Sequence, residues 1–551
     1  MSQMNTKRLI TLVGLLPAVL AAAAVLFALP AHAAAPGITG PVFNLTAQPA
    51  YISQPDGAML YSWGYGCRTG FAPSGFAPSA ISGAACPTMQ VPGPTLIVTE
   101  GQTVTVRLTN NLPNAAGNTS ILFPGFQVTS TLGVSGLLTR EAGHSTVNNT
   151  VVYTFVASSP GTHSYYSGTQ SDLQVEMGLY GAIIVLPNAV PAACTSGLAA
   201  ANRAVEINFG ETDYRLSAAA YDHVKSCYDR EYLFQFSEMD PVIHSQAQVQ
   251  VAAKTGCVAG AAGCSLNVAT EPYHPAYFLI NGRSMPDDMD PNYAFEYPHQ
   301  PYNGNPHMHP GEQVLLRVIG QGRWQHPFHE HGNHVRILGR DGNLILSQTD
   351  PANNLAGPLM FTTTTTPGLA FDGIFYWTAK GLNWDAYGHN PTSGDTSATL
   401  PCTPDTNGYN TGVAAQSAIN YYEWCQDHDK PMQVAPFGDV PGGGPTTLPD
   451  PNLFTNGPWY GGSPYLGPDA TLRATGCSAG TNAGPLAVNC GATGSTPPSG
   501  TIANSPSGEA GFAFMWHSHN EREITTNNIF PGGMLMMMLV DSREFVIDES
   551  N

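Results

Sequence analysis

The sequence predicts an all-β protein with two Greek-key β-sandwich domains and a long, loop-rich insertion in the second. Charged residues make up only 11% of the 551 residues, whereas Gly (59) and Pro (46) are abundant. This balance suits short strands joined by turns better than long amphipathic helices. Strand-like segments also fall into two separate regions, and a chain of this length has room for two or three domains.

The N-terminal segment has the pattern of a signal peptide. Lys7 and Arg8 precede an apolar run over residues 9–29, and Ala-His-Ala at residues 31–33 has the small-x-small form that signal peptidase reads. The run is long enough to span a bilayer as an uncleaved anchor, but its glycine and prolines and the cleavage triplet favour removal. We predict a signal peptide over residues 1–33, export to the periplasm or the cell exterior, and no membrane attachment after cleavage.

The chain is acidic, with 39 acidic against 20 basic residues and a formal net charge of -19. Binding to a phosphate backbone needs clustered Lys and Arg side chains. We therefore expect no nucleic-acid partner.

The ten cysteines fall into pairs that are close in sequence, although spacing alone leaves their connectivity open. In an exported chain an even number of cysteines predicts disulfides. None of the cysteines lies inside a histidine motif, so thiolate ligation of a metal is not expected. The local pairs are Cys67/Cys86, Cys194/Cys227, Cys257/Cys264, Cys402/Cys425 and Cys477/Cys490.

The first strand-rich region covers residues 36–190. Residues 101–110 alternate apolar and polar side chains after a Pro/Gly turn, which predicts a half-buried strand. Strand-like runs at residues 151–155 and 181–186 close the region. We expect these strands to form the first domain, as one β-sandwich or barrel.

The second strand-rich region is predicted to form a domain over residues 200–545. Its strand-like runs extend to residue 377, after which residues 381–508 are rich in Pro, Gly, Asn, Thr and Ser and lose their periodicity. We interpret this stretch as an insertion outside the sandwich. Residues 511–540 regain strand character and are expected to return and complete the second sandwich.

Three motifs in order resemble those of the multicopper oxidases. They are Val-Pro-Gly-Pro-Thr at residues 91–95 with Glu-Gly-Gln at 100–102, Gly-Leu-Tyr-Gly-Ala-Ile-Ile-Val at 178–185, and His-Pro-Phe-His-Glu-His-Gly at 326–332. The resemblance implies cupredoxin domains, a copper centre that takes single electrons from a substrate, and a three-copper cluster that reduces dioxygen to water.

The first domain departs from the family at every histidine ligand position. Leu122 and Pro124 stand where the family has its first His-x-His pair, and Tyr166 and Gly168 stand where it has its second. None of these side chains offers the imidazole nitrogen that the family's copper ligands provide. First-domain ligation of the oxygen-reducing cluster is therefore expected to be lost.

The second domain matches the family better. By this resemblance His326 corresponds to a ligand of the electron-transfer copper, and His329 and His331 to ligands of the cluster. The family's partner motif, His-Cys-His, reads His-Ser-His at residues 517–519.

A serine replaces the sulfur ligand of the family. Ser518 stands at the cysteine position, and a neutral hydroxyl is a poor substitute for the soft thiolate on which a blue-copper site depends. Of the family's further ligands, the downstream histidine position falls near Glu523, and Met534 is a candidate for the axial methionine.

Each His-x-His pair is also expected to form a bidentate chelator, because residues two apart in a strand face the same side. If the two strands are neighbours, four imidazoles converge, a set that suits Cu or Zn better than Ca or Mg. His326 is expected to face elsewhere, together with Ser518. We predict copper as the cofactor and five metal-binding histidines: His326, His329, His331, His517 and His519.

Simpler interpretations are preferred for the other candidates. A polar strand entry is favoured over an auxiliary metal contact for His307 and His309. The methionines at residues 534–538 resemble a copper-handling patch, but core filling is favoured. Glu330 should point to the face opposite its histidine neighbours. Hydrogen-bonded roles without metal are expected for His144, His163, His223, His244, His274, His299, His389 and His428.

Two functions are compatible with these residues. One is an exported copper oxidoreductase of multicopper oxidase type that acts on a small-molecule or metal-ion substrate. The other is a non-catalytic copper-binding or structural secreted module. The family motifs favour the first, and the missing ligands favour the second. Two-domain members of the family often close their cluster between subunits, so a homo-oligomer is considered, but a copy of this first domain would bring no histidines at the ligand positions.

Overall fold

The first strand-rich region forms two packed β-sheets. The computed structural model describes residues 35–79, 81, 83–144, 146–196, 219–350, 352, 354–381, 401–412, 420–428, 462–464, 511–541 and 547. The strands of the first region are β1 (Gly37–Thr39), β2 (Val42–Ser53), β3 (Met59–Cys67), β4 (Phe76–Ala77), β5 (Leu96–Thr99), β6 (Thr103–Asn110), β7 (Thr129–Leu132), β8 (Val134–Ser135), β9 (Arg140–Glu141), β10 (Thr150–Val156), β11 (Gly161–Tyr166) and β12 (Tyr180–Leu186).

The topology of this first sandwich has the crossovers of a Greek key. One sheet has the order β11-β12-β5-β1-β4 and the other β3-β2-β6-β10-β7, while β8 pairs with β9. Strands remote in sequence pair in parallel, β2 with β6 and β5 with β12. Such pairing needs connections that cross between sheets, as in Greek-key sandwiches and not in a simple meander.

The second region forms another pair of sheets, with the orders β14-β13-β16-β22-β18-β19 and β15-β25-β24-β17-β21. These two sandwiches confirm the predicted all-β fold class. The strands are β13 (Arg230–Met239), β14 (Tyr277–Ile280), β15 (His307–Met308), β16 (Gln313–Gly320), β17 (His326–Glu330), β18 (Val335–Arg340), β19 (Asn343–Leu344), β20 (Leu359–Met360), β21 (Thr362–Thr365), β22 (Ala370–Tyr376), β23 (Gly462–Pro464), β24 (Gly511–Ser518) and β25 (Leu535–Asp541).

The C-terminal strands return to the second sandwich, as the sequence predicted. β24 lies between β17 and β25 and pairs antiparallel with both. The insertion is not wholly outside the sandwich, because its segment β23 pairs antiparallel with part of β24. Most of residues 381–508 lies outside the described residues, as do residues 1–34 and 197–218. The signal peptide and the domain boundaries therefore stay predictions.

Side chains alternate between the two faces of β24 and β25, and those on one face form part of the core of the second sandwich. Phe514 and Trp516 are buried, together with Met536 and Met538 of the neighbouring strand β25 and Met534 just before it. The side chains at odd-numbered positions of β24 point the other way, as the period of a strand requires. Three of the four candidate methionines therefore fill the core, as expected, and Met537 is only partly buried.

Arg317 of β16 forms a buried ion network where the two sandwiches meet. Its guanidinium lies 2.7 Å from Glu231 and 3.5 Å from Asp372, and all three side chains are buried. Asp372 accepts a hydrogen bond from Thr162 of β11 in the first sandwich. Burial would raise the pKa of Glu231, but the Arg317 charge outweighs it and holds this pKa below its ordinary value. The network thus links β11 to β13, β16 and β22.

Helices are short in the described part of the chain. They are α1 (Ser171–Gln174), α2 (Pro241–Ala253) and three 3-10 turns at Asn114–Ala116, Ala192–Thr195 and Asp287–Met289. The α2 helix begins with proline after Asp240, whose side chain accepts from the Val242 N–H, a usual N-cap arrangement. No helix among the described residues is both long and apolar enough to cross a membrane.

Four of the five predicted disulfides are present: Cys67–Cys86, Cys194–Cys227, Cys257–Cys264 and Cys402–Cys425. The fifth predicted pair, Cys477/Cys490, lies outside the described residues. Each observed bond links cysteines near in sequence, so each closes a local loop.

Candidate metal centre

Strands β17 and β24 are antiparallel neighbours, and their pairing brings the two His-x-His motifs together. His329 lies directly opposite His517 in the ladder. Because side chains alternate along a strand, His331 and His519 follow on the same face. Glu330 lies on the other face and is buried in the core, as the alternation predicted.

The four imidazoles converge. Ring centroids are 4.8 Å apart for His329 and His331, 5.4 Å for His329 and His517, and 4.7 Å for His329 and His519. The Nε2 atoms of His331 and His517 are 3.3 Å apart. Two ligands of one tetrahedral ion, each bound at about 2.0–2.1 Å, are about 3.3 Å apart. One transition-metal ion therefore fits this donor set.

Three of the four histidines form the tightest group. One ligand nitrogen of each of His329, His331 and His517 lies within 4.8 Å of the others. His329 and His517 are buried, His331 is half-buried, and His519 is exposed. The site is thus open to solvent on the side of His519.

Neighbouring oxygen atoms orient two of the rings. The Nδ1–H of His517 donates to the Ser518 carbonyl at 2.7 Å, and the Thr362 hydroxyl lies 2.5 Å from His329 Nδ1. Contacts of this kind fix the tautomer and orientation of metal-binding histidines in proteins.

Two of the rings, those of His329 and His517, are held in the neutral form that metal binding requires. Burial and the adjacent imidazoles lower the pKa of His329 to about 3. Burial lowers the pKa of His517 as well. Both imidazoles therefore stay available as ligands below the ordinary histidine pKa of about 6.5.

The structure places His326 apart from the other four predicted ligands, on the opposite face of β17 together with Ser518. Its Nδ1 lies 2.9 Å from Glu523 Oε2 and its Nε2 lies 2.9 Å from Glu238 Oε2, with all three side chains buried. Both ring nitrogens are thus engaged by carboxylates. Metal ligation by His326 stays a prediction, and a metal there would have to displace one of these contacts.

Burial alone would lower the pKa of His326, but the hydrogen bonds to Glu238 and Glu523 outweigh it and raise this pKa to about 9. A raised folded-state pKa stabilises the fold below the unfolded value of about 6.5, and the contribution is lost as the pH rises through about 9. In the metal-free protein, a His326→Gln variant should therefore be less stable than wild type at pH 6.5. The deficit should shrink towards pH 10, measured as urea unfolding midpoints. A deficit that stayed constant over this range would contradict a charged His326.

Sequence reasoning missed both carboxylate partners of His326. Glu238 lies in β13, where every residue is buried, so no alternation marks it out. Glu523 stands near the family's downstream histidine position. The motif comparison therefore drew attention to this residue but did not predict its contact with His326.

The first-domain ligand positions have packed against one another. Leu122 and Tyr166 exchange backbone hydrogen bonds, and a Cβ added to Gly168 would lie 2.7 Å from Leu122 Cγ. Leu122 therefore occupies the space beside Gly168, and none of the four positions 122, 124, 166 and 168 carries an imidazole.

The simpler interpretations of the other histidines stay predictions, and the structure describes the contacts of several of them. His307 and His309 are buried at and just after β15 and do not belong to the four-histidine group. A second cluster of Cys402, Glu423 and His428 cannot use its sulfur, which forms a disulfide. Hydrogen bonds within the protein engage His144, His163, His244, His299 and His428.

Two β-sandwiches, the second with paired His-x-His strands, define an all-β protein with a histidine centre. Residues 85–190 match the family model described as multicopper oxidase. The match covers the greater part of the first sandwich, which is therefore similar to a multicopper oxidase domain, a type of domain whose family uses copper.

Several solved structures are similar to this chain at low identity. The multicopper oxidase mgLAC has 14% identity and a TM-score of 0.42, with 92% of this chain and 87% of that chain covered. A blue copper oxidase from Nitrosomonas europaea has 15% identity and a TM-score of 0.39, with 90% and 85% covered. The laccase from Botrytis aclada has 18% identity and a TM-score of 0.35, with 63% and 48% covered. Among curated protein sequences, none matches the chain.

Proposed function

We propose that this chain is an exported, multicopper oxidase-like protein that binds one copper ion through His329, His331, His517 and His519. The convergence of these four rings carries the proposal, above all the 3.3 Å separation of His331 and His517 Nε2. Neutral imidazoles are good ligands for copper, and the family implies that metal.

Bound copper would supply one-electron exchange with a small-molecule or metal-ion substrate. The protein's own residues do the rest. The two strands hold the imidazoles in place, Thr362 and the Ser518 carbonyl orient two of them, and the aromatic core behind β24 keeps water from that side. A substrate would approach from the side of the exposed His519.

Complete reduction of dioxygen to water is not proposed for this chain. It lacks a thiolate at Ser518, and the first sandwich contributes no histidine at Leu122, Pro124, Tyr166 or Gly168. A homo-oligomer would not restore those ligands, because each copy carries the same first domain.

A non-catalytic copper-binding module is the second candidate. It is favoured by the packing of Leu122 beside Gly168 and by the carboxylates that engage both nitrogens of His326. Turnover separates the two candidates. Copper-dependent oxidation of phenols, cuprous or ferrous ions above the rate of free copper would favour the oxidoreductase, and its absence in copper-loaded protein would favour the binding module.

Purified mature protein is expected to bind one copper ion per chain without intense blue absorption. The intense band arises from a thiolate ligand, and no free cysteine occurs among the described residues. Metal analysis with an optical spectrum tests both statements. An intense blue band in wild-type protein would contradict the assignment of ligands, and absence of bound copper would contradict the proposed function.

Export can be tested on the same protein. Expression with the native N-terminus should yield periplasmic or secreted protein that has lost residues 1–33, as N-terminal sequencing would show. Full-length chain retained in the cytoplasm would argue against export.

A further inference from the structure

His519 differs from the other three histidines in how it is held. β24 ends at Ser518, so His519 begins the turn that leads away from the strand. It is exposed, and it lies outside the group of three histidines with ligand atoms within 4.8 Å of one another. Its backbone N–H donates to the Pro327 carbonyl of β17 at 2.8 Å, and beyond this contact its position depends on what holds the turn.

The Glu523 carboxylate holds the turn on both sides of His519. Its Oε2 accepts a hydrogen bond from the Ser518 hydroxyl, and its Oε1 accepts one from the Asn520 side-chain amide at 3.0 Å. The Glu523 N–H donates to the Asn520 carbonyl at 2.8 Å. Both neighbours of His519 are thus tied to one buried carboxylate.

His326 in turn holds Glu523, and Glu238 holds His326. The other oxygen of Glu238 accepts the backbone N–H groups of Arg323 and Trp324, at 2.7 and 2.9 Å. The carboxylate of Glu523 is therefore connected through His326 and then Glu238 to the backbone just before β17.

We propose that Glu523 is a positioning residue that holds the fourth metal ligand, His519, in place beside the other three. This inference rests on the proposed four-histidine copper site. Three donors converge on the Glu523 carboxylate, from Ser518, Asn520 and His326. A glutamine of the same shape has one acceptor oxygen and one donor amide, so it leaves at least one of these donors without an acceptor.

The test is a double-mutant cycle on metal-free, full-length mature protein titrated with Cu(II) alone. Glu523→Gln should weaken copper binding about 10- to 100-fold, the usual effect of removing support from a metal ligand. In a His519→Ala background the same change should have no further effect. Electron paramagnetic resonance should show the loss of one coordinated nitrogen in either single variant.

Glu521→Gln is the matched control, because Glu521 is exposed in the same turn and carries the same charge. It should bind copper as wild type does. Ser518→Ala, which deletes a single hydroxyl, gives a second test if Glu523→Gln fails to fold, and it should weaken binding in the same His519-dependent way.

The outcomes separate the inference from the function on which it rests. Equal weakening by Glu523→Gln with and without His519, or equal weakening by Glu521→Gln, would overturn the positioning role alone. A wild-type protein that binds no Cu(II) would overturn the proposed function and this inference with it.

Discussion

Replacing His331 and His517 together by alanine is expected to abolish copper binding. These two residues supply a pair of ring nitrogens 3.3 Å apart, one from each side of the β17–β24 ladder. The remaining His329 and His519 leave only two imidazoles, too few to hold a transition metal firmly. The loss of affinity should exceed the roughly 10- to 100-fold effect of changing a supporting residue. Equilibrium dialysis against copper measures it.

The fold should survive this double change. His331 is half-buried, and His517 lies on the face of β24 away from the aromatic core. His334→Ala is a suitable control, since His334 lies beside Phe361 on the same side of the sandwich but outside the group of four. One equivalent of copper bound with unchanged affinity in the double variant would show that these histidines are not the site.

Replacing Arg317 by methionine is expected to destabilise the protein by about 3–5 kcal/mol, the range for removing one partner of a buried ion pair. The change leaves Glu231 and Asp372 buried without their positive partner. Because Asp372 also accepts from Thr162, the loss should weaken the contact between the sandwiches. Denaturant unfolding midpoints measure the effect.

Arg340→Met provides a comparison, because Arg340 is exposed at the end of β18 in the same sheet as Arg317. Its effect should stay within about 0.5 kcal/mol. Changing Glu231 to Gln and Asp372 to Asn in the Arg317→Met background should recover much of the loss, since uncompensated charge is its cause. A small effect of Arg317→Met would show that the network contributes little to stability.

The alternation of side chains made the fold class and the four-histidine face predictable. A period of two assigns His329, His331, His517 and His519 to one face of each strand, and family order makes the strands neighbours. Motif comparison also located Ser518. These features are local in sequence, so the sequence shows them directly.

Contacts between remote segments could not be predicted in this way. Glu238 lies 88 residues before His326 in a strand buried along its whole length, so neither spacing nor alternation singles it out. The pairing of β23 with β24 is also non-local and depends on a segment without clear periodicity. The role of Glu523 became visible only once His326 was placed beside it.

The contact between Leu122 and Gly168 affects how readily histidine ligands could arise in the first sandwich by mutation. A histidine at residue 168 needs a Cβ, which would lie 2.7 Å from Leu122 Cγ. That single substitution therefore meets a steric clash. A histidine at residue 122 alone would find no imidazole at residues 124, 166 or 168. A His-x-His pair at these positions needs at least two changes, so a single mutation cannot create one.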